Sequence, residues 1–269
     1  YYNEDKRMMN EKYPDIEIVP DTTQISTKEF AAMASSGQLP NLFVSSYTEL
    51  PLAAQSGFAL DITDYCKEYQ YTTNLNPLLV DKVSYDERVY GIPSTAYSLG
   101  LACNRKMFET AGLVNEDGSL QYPATYDELA QTAVKIKDAT GQAGFSFPTM
   151  NNQGGWIFTS LAWSYGVDFM EQDSDGKWQA TFDSPECVEA LQYIKDLKWK
   201  YDVLPDNSFV DVTEQRKLFA SDQAAMYLMH VPERMLVKTY SMDKDDICFG
   251  RVPAGPEGRY SLMGGNVYM

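Results

Sequence analysis

Histidine is almost missing from this sequence, and its scarcity argues against much of the chemistry that enzymes use. The 269 residues include one histidine, His230. A catalytic triad or a histidine-based acid–base pair would therefore have a single candidate and no recognisable partner. A lone histidine at the end of a predicted strand is typical of a packed or surface residue, and a functional role is the alternative.

Cysteine is also scarce. The four cysteines, Cys66, Cys103, Cys187 and Cys248, stand far apart and none forms a CxxC pair. With one histidine in the chain, this spacing argues against a zinc site, and we expect no metal and no cofactor. Each cysteine lies in or beside an apolar pattern, which predicts small buried thiols. Their positions do not decide the redox compartment.

The sequence also has few basic residues relative to acidic ones, and its apolar runs are short. Against 38 acidic residues there are 22 lysines and arginines, so the net charge is −16 and the pI is about 4.4. Such a surface repels phosphate backbones, and we expect no nucleic-acid partner. No apolar stretch reaches about 18 residues, so no membrane-spanning helix is predicted. The chain opens in polar sequence rather than a signal peptide, although a removed export signal would leave the same picture.

Nucleotide and hydrolase motifs are missing as well: there is no GxxxxGK[ST], no GxGxxG after a strand, no GxSxG and no HExxH. Acidic pairs remain as catalytic candidates, because a glycosidase needs two carboxylates facing one cleft. The closest pairs lie in predicted turns or helix starts, where aspartate commonly serves as a capping or turn residue. They are Asp61 and Asp64, Asp173 and Asp175, and Asp245 and Asp246.

What the sequence does contain is an alternation of short apolar strands with amphipathic helices. The segment 89–112 is organised as a short strand, a Gly-Ile-Pro turn, an extended apolar run over 96–103 and a helix from Asn104 to Gly112. Further strands are predicted at 16–19, 42–44, 145–147, 224–229 and 247–252. The alternation predicts an α/β fold with largely parallel sheets.

Capping signals predict where several helices begin. Boxes of the form S/T-x-x-E start at Ser26, Ser46 and Thr125, and Ser184 precedes a proline at the first helical position. In the helix after Thr125, the predicted buried face is Tyr126, Leu129, Ala133 and Ile136. In the helix after Ser184, it is Val188, Leu191, Ile194 and Tyr201.

Aromatic residues are the strongest functional signal in the residues themselves. Trp156 and Trp163 lie two helical turns apart, Tyr47 lies in a predicted first turn, and Tyr97 follows the Gly-Ile-Pro turn. Aromatic faces stack on sugar rings and leave the hydroxyl groups free for hydrogen bonds. Packing in the core is the alternative for each of them.

A series of short motifs resembles the extracellular solute-binding proteins of ABC transporters, in the group that includes maltose-binding protein. Each motif is weak alone, but their order and spacing hold along the whole chain. Cys103 stands where that family usually has tyrosine. The motifs are LPNLF at 39–43, QSG at 55–57, LD at 60–61, VYGIP at 89–93, NRKMF at 104–108, AGL at 111–113, PATYDEL at 123–129, FASDQAAM at 219–226 and VPAGP at 252–256.

The resemblance implies a two-lobed, type II periplasmic-binding-protein fold whose lobes close on a ligand. By analogy, lobe one is 1–103 plus 248–269 and lobe two is 104–247. The family pattern also has a strand before the first helix and further helices after Gly264 and Gly265. We expect both to be missing from this chain.

The resemblance also implies a site and a function. The expected function is non-catalytic capture of a sugar or oligosaccharide for an ABC importer, with a peptide, polyamine or organic acid ligand, or a carbohydrate-active enzyme, as alternatives. The expected partners are membrane permease subunits, and the chain is expected to be a monomer, extracellular or periplasmic and possibly lipid-anchored. With Trp163 added from the aromatic pattern, the candidate ligand-binding residues are Ser46, Tyr47, Glu49, Tyr97, Trp156, Trp163, His230 and Asn266.

Overall fold

A computed structural model describes residues 2–21, 27–150, 153–230 and 235–269. The helices are α1 Tyr2–Lys12, α2 Thr27–Ser35, α3 Leu50–Gln55, α4 Thr63–Glu68, α5 Pro77–Lys82, α6 Arg105–Thr110, α7 Tyr126–Thr140, α8 Gln153–Ser164, α9 Pro185–Trp199, α10 Val212–Ala220 and α11 Met235–Tyr240. The strands are β1 Val44–Ser46, β2 Ser84–Tyr85, β3 Arg88–Val89, β4 Ile92–Asn104, β5 Met170–Gln172, β6 Trp178–Ala180, β7 Met226–His230, β8 Ile247–Gly250 and β9 Met263–Tyr268.

The chain divides into two compact units. The first comprises residues 1–96 and 265–269, and the second comprises 97–264. Strand β4 carries the chain from the first unit into the second, and β9 carries it back. The chain therefore leaves the first unit after residue 96 and returns to it at residue 265.

The first unit is built around a short antiparallel pair. Strand β1 pairs with the end of β9, so that Ser46 lies opposite Asn266. Next to this pair, β2 and β3 form a hairpin whose turn residues Asp86 and Glu87 both have positive φ. The side chains that form the core beneath are Tyr47, Leu50, Cys66, Val83, Val89 and Val267.

The second unit has the larger core. Strand β4 is antiparallel to β7 on one side and to β8 on the other, with Leu99 opposite His230 and Leu101 opposite Gly250. One face of this sheet and helices α6 to α9 share a single apolar cluster, which includes Phe108, Leu129 and Leu161. Burial of these side chains stabilises the unit.

Several local signals have the predicted effect. Asn104 caps α6 by accepting a hydrogen bond from the Met107 amide, and Thr125 caps α7 by accepting one from Glu128. Helix α7 ends at Gly141, whose left-handed φ of 70° suits glycine. Ser184 caps α9 ahead of the proline. The predicted face of α7 is buried.

The predicted face of α9 is wrong except at Ile194, which packs partly buried against the large core. Val188 and Leu191 are 64% and 54% exposed, and the helix instead buries Cys187, Ala190, Tyr193 and Leu197. The observed face is offset by one residue at Cys187 and Ala190. It packs Tyr193 against Tyr126 of α7, and the Tyr193 hydroxyl donates to the Tyr126 carbonyl.

Other corrections concern strands and one cap. The strand ladders with described registers are antiparallel, and the parallel contacts reported are the isolated bridges Thr125–Ala254 and Ala143–Ala224. Residues 16–19 form no strand, because their side chains are mostly exposed and the alternation buries no face. Residues 145–147 lie outside any strand ladder, although the backbone amides of Phe145 and Ser146 donate to the carbonyls of Val203 and Met226. Helix α3 begins at Leu50 with Glu49 at its N-cap position and no side-chain cap, so the predicted box at Ser46 lies three residues too early. The Ser46 hydroxyl is hydrogen-bonded to the Thr48 hydroxyl.

The predicted cap at Ser26 lies outside the described residues. So do Val231 and Pro232, a pair whose proline predicts a helix start. Within the ranges that the structure describes, no helix is both long enough and apolar enough to cross a membrane.

Candidate functional site

Tyr97 and Trp156 come together in the second unit. Tyr97 lies on β4 just after the crossing, and Trp156 lies in the first turn of α8. Their ring centroids are 6.4 Å apart and the planes meet at 71°, an edge-to-face contact. Trp156 keeps 36% of its surface exposed. An aromatic face braced by a second ring and open to solvent is a platform on which a ligand ring can stack.

Two glycines hold this pair in place. A Cβ on Gly264 would lie 2.5–2.7 Å from three atoms of the Tyr97 side chain, so the phenol ring packs directly on the β9 backbone. A Cβ on Gly154 would lie 2.4 Å from the Pro148 carbonyl oxygen, so the start of α8 lies close to the preceding segment. Neither position tolerates a larger residue without movement.

Arg216 adds positive charge to the same region. Burial raises the pKa of the Tyr97 phenol, and the charge of Arg216 opposes that rise. Helix α10, which carries Arg216, is tied to α8 by a 2.8 Å hydrogen bond from the Val212 amide to the Gln153 side chain. Sequence reasoning missed Arg216, although two adjacent basic residues, Arg216 and Lys217, on a capped helix of an acidic chain were a visible signal.

A separate polar group forms in the first unit. The Tyr47 hydroxyl donates to the Thr95 carbonyl at 2.9 Å, and the backbone amide of Asn266 donates to the Thr95 hydroxyl at 3.1 Å. Ser46 lies opposite Asn266 across the β1–β9 pair. The structure therefore gathers three of the candidates around Thr95, which the sequence analysis did not single out.

Tyr47 and Asn266 differ in what they offer a ligand. Tyr47 is buried in the core, and burial raises the pKa of its phenol. Gly265, with a φ of 151°, packs against both the Tyr47 ring and the Thr95 carbonyl. Tyr47 thus braces the crossing segment, whereas Asn266 is exposed and Ser46 is half-buried.

The remaining candidates, Glu49, Trp163 and His230, have no described contact with the Tyr97–Trp156 pair or with Thr95. Glu49 is half-buried just before α3. Trp163 packs against the large core of the second unit from the far turn of α8. The backbone of His230 ends β7 opposite Leu99, and its side chain is outside the described part of the structure. In the described residues, no three histidine, cysteine or acidic side chains are placed to hold a metal ion.

Comparison with known proteins places this geometry in a family. The sequence matches the bacterial extracellular solute-binding protein family over residues 4–269. The polygalacturonan/rhamnogalacturonan-binding protein YtcQ of Bacillus subtilis (strain 168) is 23% identical over 242 residues, which cover 86% of this chain and 46% of YtcQ. This chain therefore spans under half of that relative.

Solved structures show the same fold. A solute-binding protein from Thermotoga lettingae TMO bound to α-D-tagatose has a TM-score of 0.81 at 24% identity, covering 99% of this chain and 67% of that one. The maltose-bound MalE3 of T. maritima has a TM-score of 0.79 at 25% identity, with the same coverage. These matches confirm the predicted α/β fold of the two-lobed solute-binding type.

The family match also confirms the predicted extracellular or periplasmic location, while the lipid anchor stays a prediction. The family match also agrees with the series of short sequence motifs, which runs through both units. The match covers nearly the whole sequence, so the chain belongs to the bacterial extracellular solute-binding protein family.

Proposed function

We propose that this chain captures a sugar or oligosaccharide, without chemical turnover, for import by an ABC transporter. The observation that carries the proposal is the aromatic platform of Tyr97 and Trp156 in the second unit. Relatives named for maltose, tagatose and polygalacturonan support a glycan as the ligand class. The partners would be a small-molecule ligand and the permease subunits of the transporter.

Stacking supports a sugar because the apolar C–H face of a pyranose buries against the indole while its hydroxyls stay available. We also propose exposed Asn266 and half-buried Ser46 as hydrogen-bonding groups for a sugar. The residues that we propose to touch the ligand are Tyr97, Trp156, Ser46 and Asn266. Glu49 and His230 are weaker candidates, and Tyr47 and Trp163 would act by packing.

An anionic ligand is the second candidate, and Arg216 favours it. A guanidinium whose charge reaches Tyr97 would attract the carboxylate of an organic acid or an acidic sugar. In that case affinity would fall with added salt, since exposed charge pairs are screened. A neutral sugar would bind with little dependence on salt.

Calorimetric titration of the whole chain with maltose, D-tagatose and an oligogalacturonide tests these proposals. We expect saturable binding of at least one glycan, and a loss of tenfold or more, about 1.4 kcal/mol, in Trp156→Ala. The matched control is Trp199→Ala on α9, because that ring is 77% exposed and outside the platform. No binding of any glycan by the folded chain would refute the sugar proposal.

Catalysis by a carboxylate pair is the rival from another class. It predicts that products of glycan cleavage accumulate with time and disappear when one aspartate becomes asparagine. Our proposal predicts that the bound glycan is recovered intact by mass spectrometry after long incubation. Turnover would contradict the non-catalytic part of the proposal but not the proposal that the chain binds a glycan.

A further inference from the structure

Two cysteines lie directly opposite each other in the sheet of the second unit. In the antiparallel β4–β8 pair, Cys103 is the register partner of Cys248. Opposed residues in such a pair project to the same face and have Cα atoms about 4.5 or 5.5 Å apart. Disulfides span Cα separations of about 4.4–6.8 Å. Both thiols belong to the same core cluster, so both side chains lie on its side of the sheet.

The surroundings of the pair give the two thiols different roles. Cys103 is fully buried, whereas Cys248 is 9% exposed. Burial, with the neighbouring Cys248 as a smaller cause, raises the pKa of the Cys103 thiol well above its usual range. Cys248 is therefore the thiol that an oxidant meets first.

Two side chains lie beside Cys248. The Tyr122 ring packs on Gly250, where an added Cβ would lie 2.7 Å from it, and Gly250 shares a strand face with Cys248. The sulfur of Cys248 is the leading cause of the raised pKa of Arg105, which places the guanidinium near the thiol.

The other two cysteines are placed elsewhere. Cys66 lies in the core of the first unit, and Cys187 packs with Ala162 and Val167 in a separate cluster. They serve as internal controls, because each is a buried thiol of the same chain without an opposed cysteine in the described strand registers.

We propose that Cys103 and Cys248 form a disulfide that cross-links β4 to β8 once the protein is outside the cytoplasm. Extracellular compartments are oxidising and allow structural disulfides to persist. The link would close a loop from residue 103 to residue 248, which includes most of the second unit. Closing so long a loop restricts the unfolded chain and raises stability.

The chemistry needs an external disulfide as oxidant, and oxidised glutathione suffices. The Cys248 thiolate attacks one sulfur of the oxidant, breaking its S–S bond and releasing a thiolate that takes a proton from water. Cys103 then loses its proton and attacks the Cys248 sulfur, which forms the new S–S bond and expels the second thiolate. The protein loses two electrons and two protons, and the oxidant becomes two thiols.

Peptide mapping of the whole folded chain tests the proposal. One sample is incubated with oxidised glutathione and another with dithiothreitol, and both are then alkylated in denaturant and digested. We expect a reducible species joining the Cys103 and Cys248 peptides after oxidation, with Cys66 and Cys187 alkylated in both samples. The urea midpoint should rise on oxidation and return on reduction.

Variants separate the cross-link from a general effect of oxidation. Cys248→Ser should abolish both the linked species and the rise in midpoint, whereas Cys66→Ser should keep both. Because mapping of the unaltered chain needs no variant, a folding defect in either mutant does not decide the outcome. Four alkylated cysteines after oxidation, a lasting glutathione adduct on Cys248 with free Cys103, or a link between two chains would each overturn the proposal.

Discussion

At the scale of single residues, glycine decides where the aromatic platform lies. Gly264→Ala would put a Cβ 2.5 Å from the Tyr97 ring, closer than real Cβ atoms approach. We expect the ring to move away from Trp156, which should shift the indole fluorescence and weaken glycan binding several-fold. Both effects are measurable on the same sample by fluorescence titration.

The control for that substitution is Gly155→Ala. Gly155 lies beside Trp156 in α8, and a Cβ there meets nothing within 4 Å. Replacing a helical glycine by alanine should raise stability by roughly 0.5–1 kcal/mol and leave the platform intact. If Gly155→Ala weakens binding as much as Gly264→Ala, then contact with Tyr97 is not the reason for the effect.

Tyr47 gives a second prediction at this scale, because its hydroxyl already has a structural partner. Tyr47→Phe removes the donor to the Thr95 carbonyl. We expect a loss of about 1 kcal/mol in the free energy of unfolding, measured with urea, and little change in glycan affinity. Tyr71→Phe is the matched control in the same unit, since Tyr71 is 55% exposed. A large loss of affinity with unchanged stability would instead make Tyr47 a ligand contact.

At the scale of elements, helix α9 offers a matched pair of leucines. Leu197 is fully buried in the large core and Leu191 is 54% exposed. Leu197→Ala should cost about 2–5 kcal/mol through lost burial and the cavity it leaves. Leu191→Ala, the same chemical change six residues earlier on the exposed face, should stay within about 0.5 kcal/mol. Equal losses in urea unfolding would contradict the observed orientation of the helix.

The same helix shows what sequence can and cannot predict. Caps such as Thr125 and Ser184 act within one turn, so local sequence is sufficient to place them. The face of a helix depends on what lies against it. Val188 and Leu191 are the more apolar choice, but the partner tyrosine of α7 meets Tyr193, and no local pattern contains that information.

In the candidate site too, the sequence predicted individual residues but not the contacts between them. Trp156 and Tyr97 were both predictable as aromatic candidates, and the resemblance favoured Trp156. Their mutual contact was not predictable, because Tyr97 and Trp156 lie far apart in the sequence and only the folded second unit brings their rings together. Thr95 was missed for a related reason: its role depends on Asn266, a residue far along the chain.

At the scale of the whole molecule, tyrosines of the second unit whose phenols are partly or fully withdrawn from water couple stability to alkaline pH. Burial raises the pKa of both Tyr122 and Tyr165 to about 12, and it also raises the pKa of Tyr193. An unfolded tyrosine has a pKa of about 10. The folded state therefore holds these phenolic protons more tightly than the unfolded state does.

The sign of the effect follows from that difference. The stabilising contribution is fully present below pH 10 or so, and it is lost as the pH rises towards about 12. We expect the urea midpoint to be constant from neutral pH to about pH 10. It should then fall steadily as the pH rises towards about 12. Tyr165→Phe should reduce the slope, because one of the coupled protons is removed.

Ultraviolet absorbance of phenolate provides the independent measurement, with the chain in denaturant as the unfolded reference. In the folded chain, part of the tyrosine signal should appear only together with the loss of the circular dichroism of the native state. That coincidence is what linkage between ionisation and unfolding requires. If all tyrosines ionise near the unfolded pKa while the native spectrum persists, the buried phenols are not what limits stability at high pH.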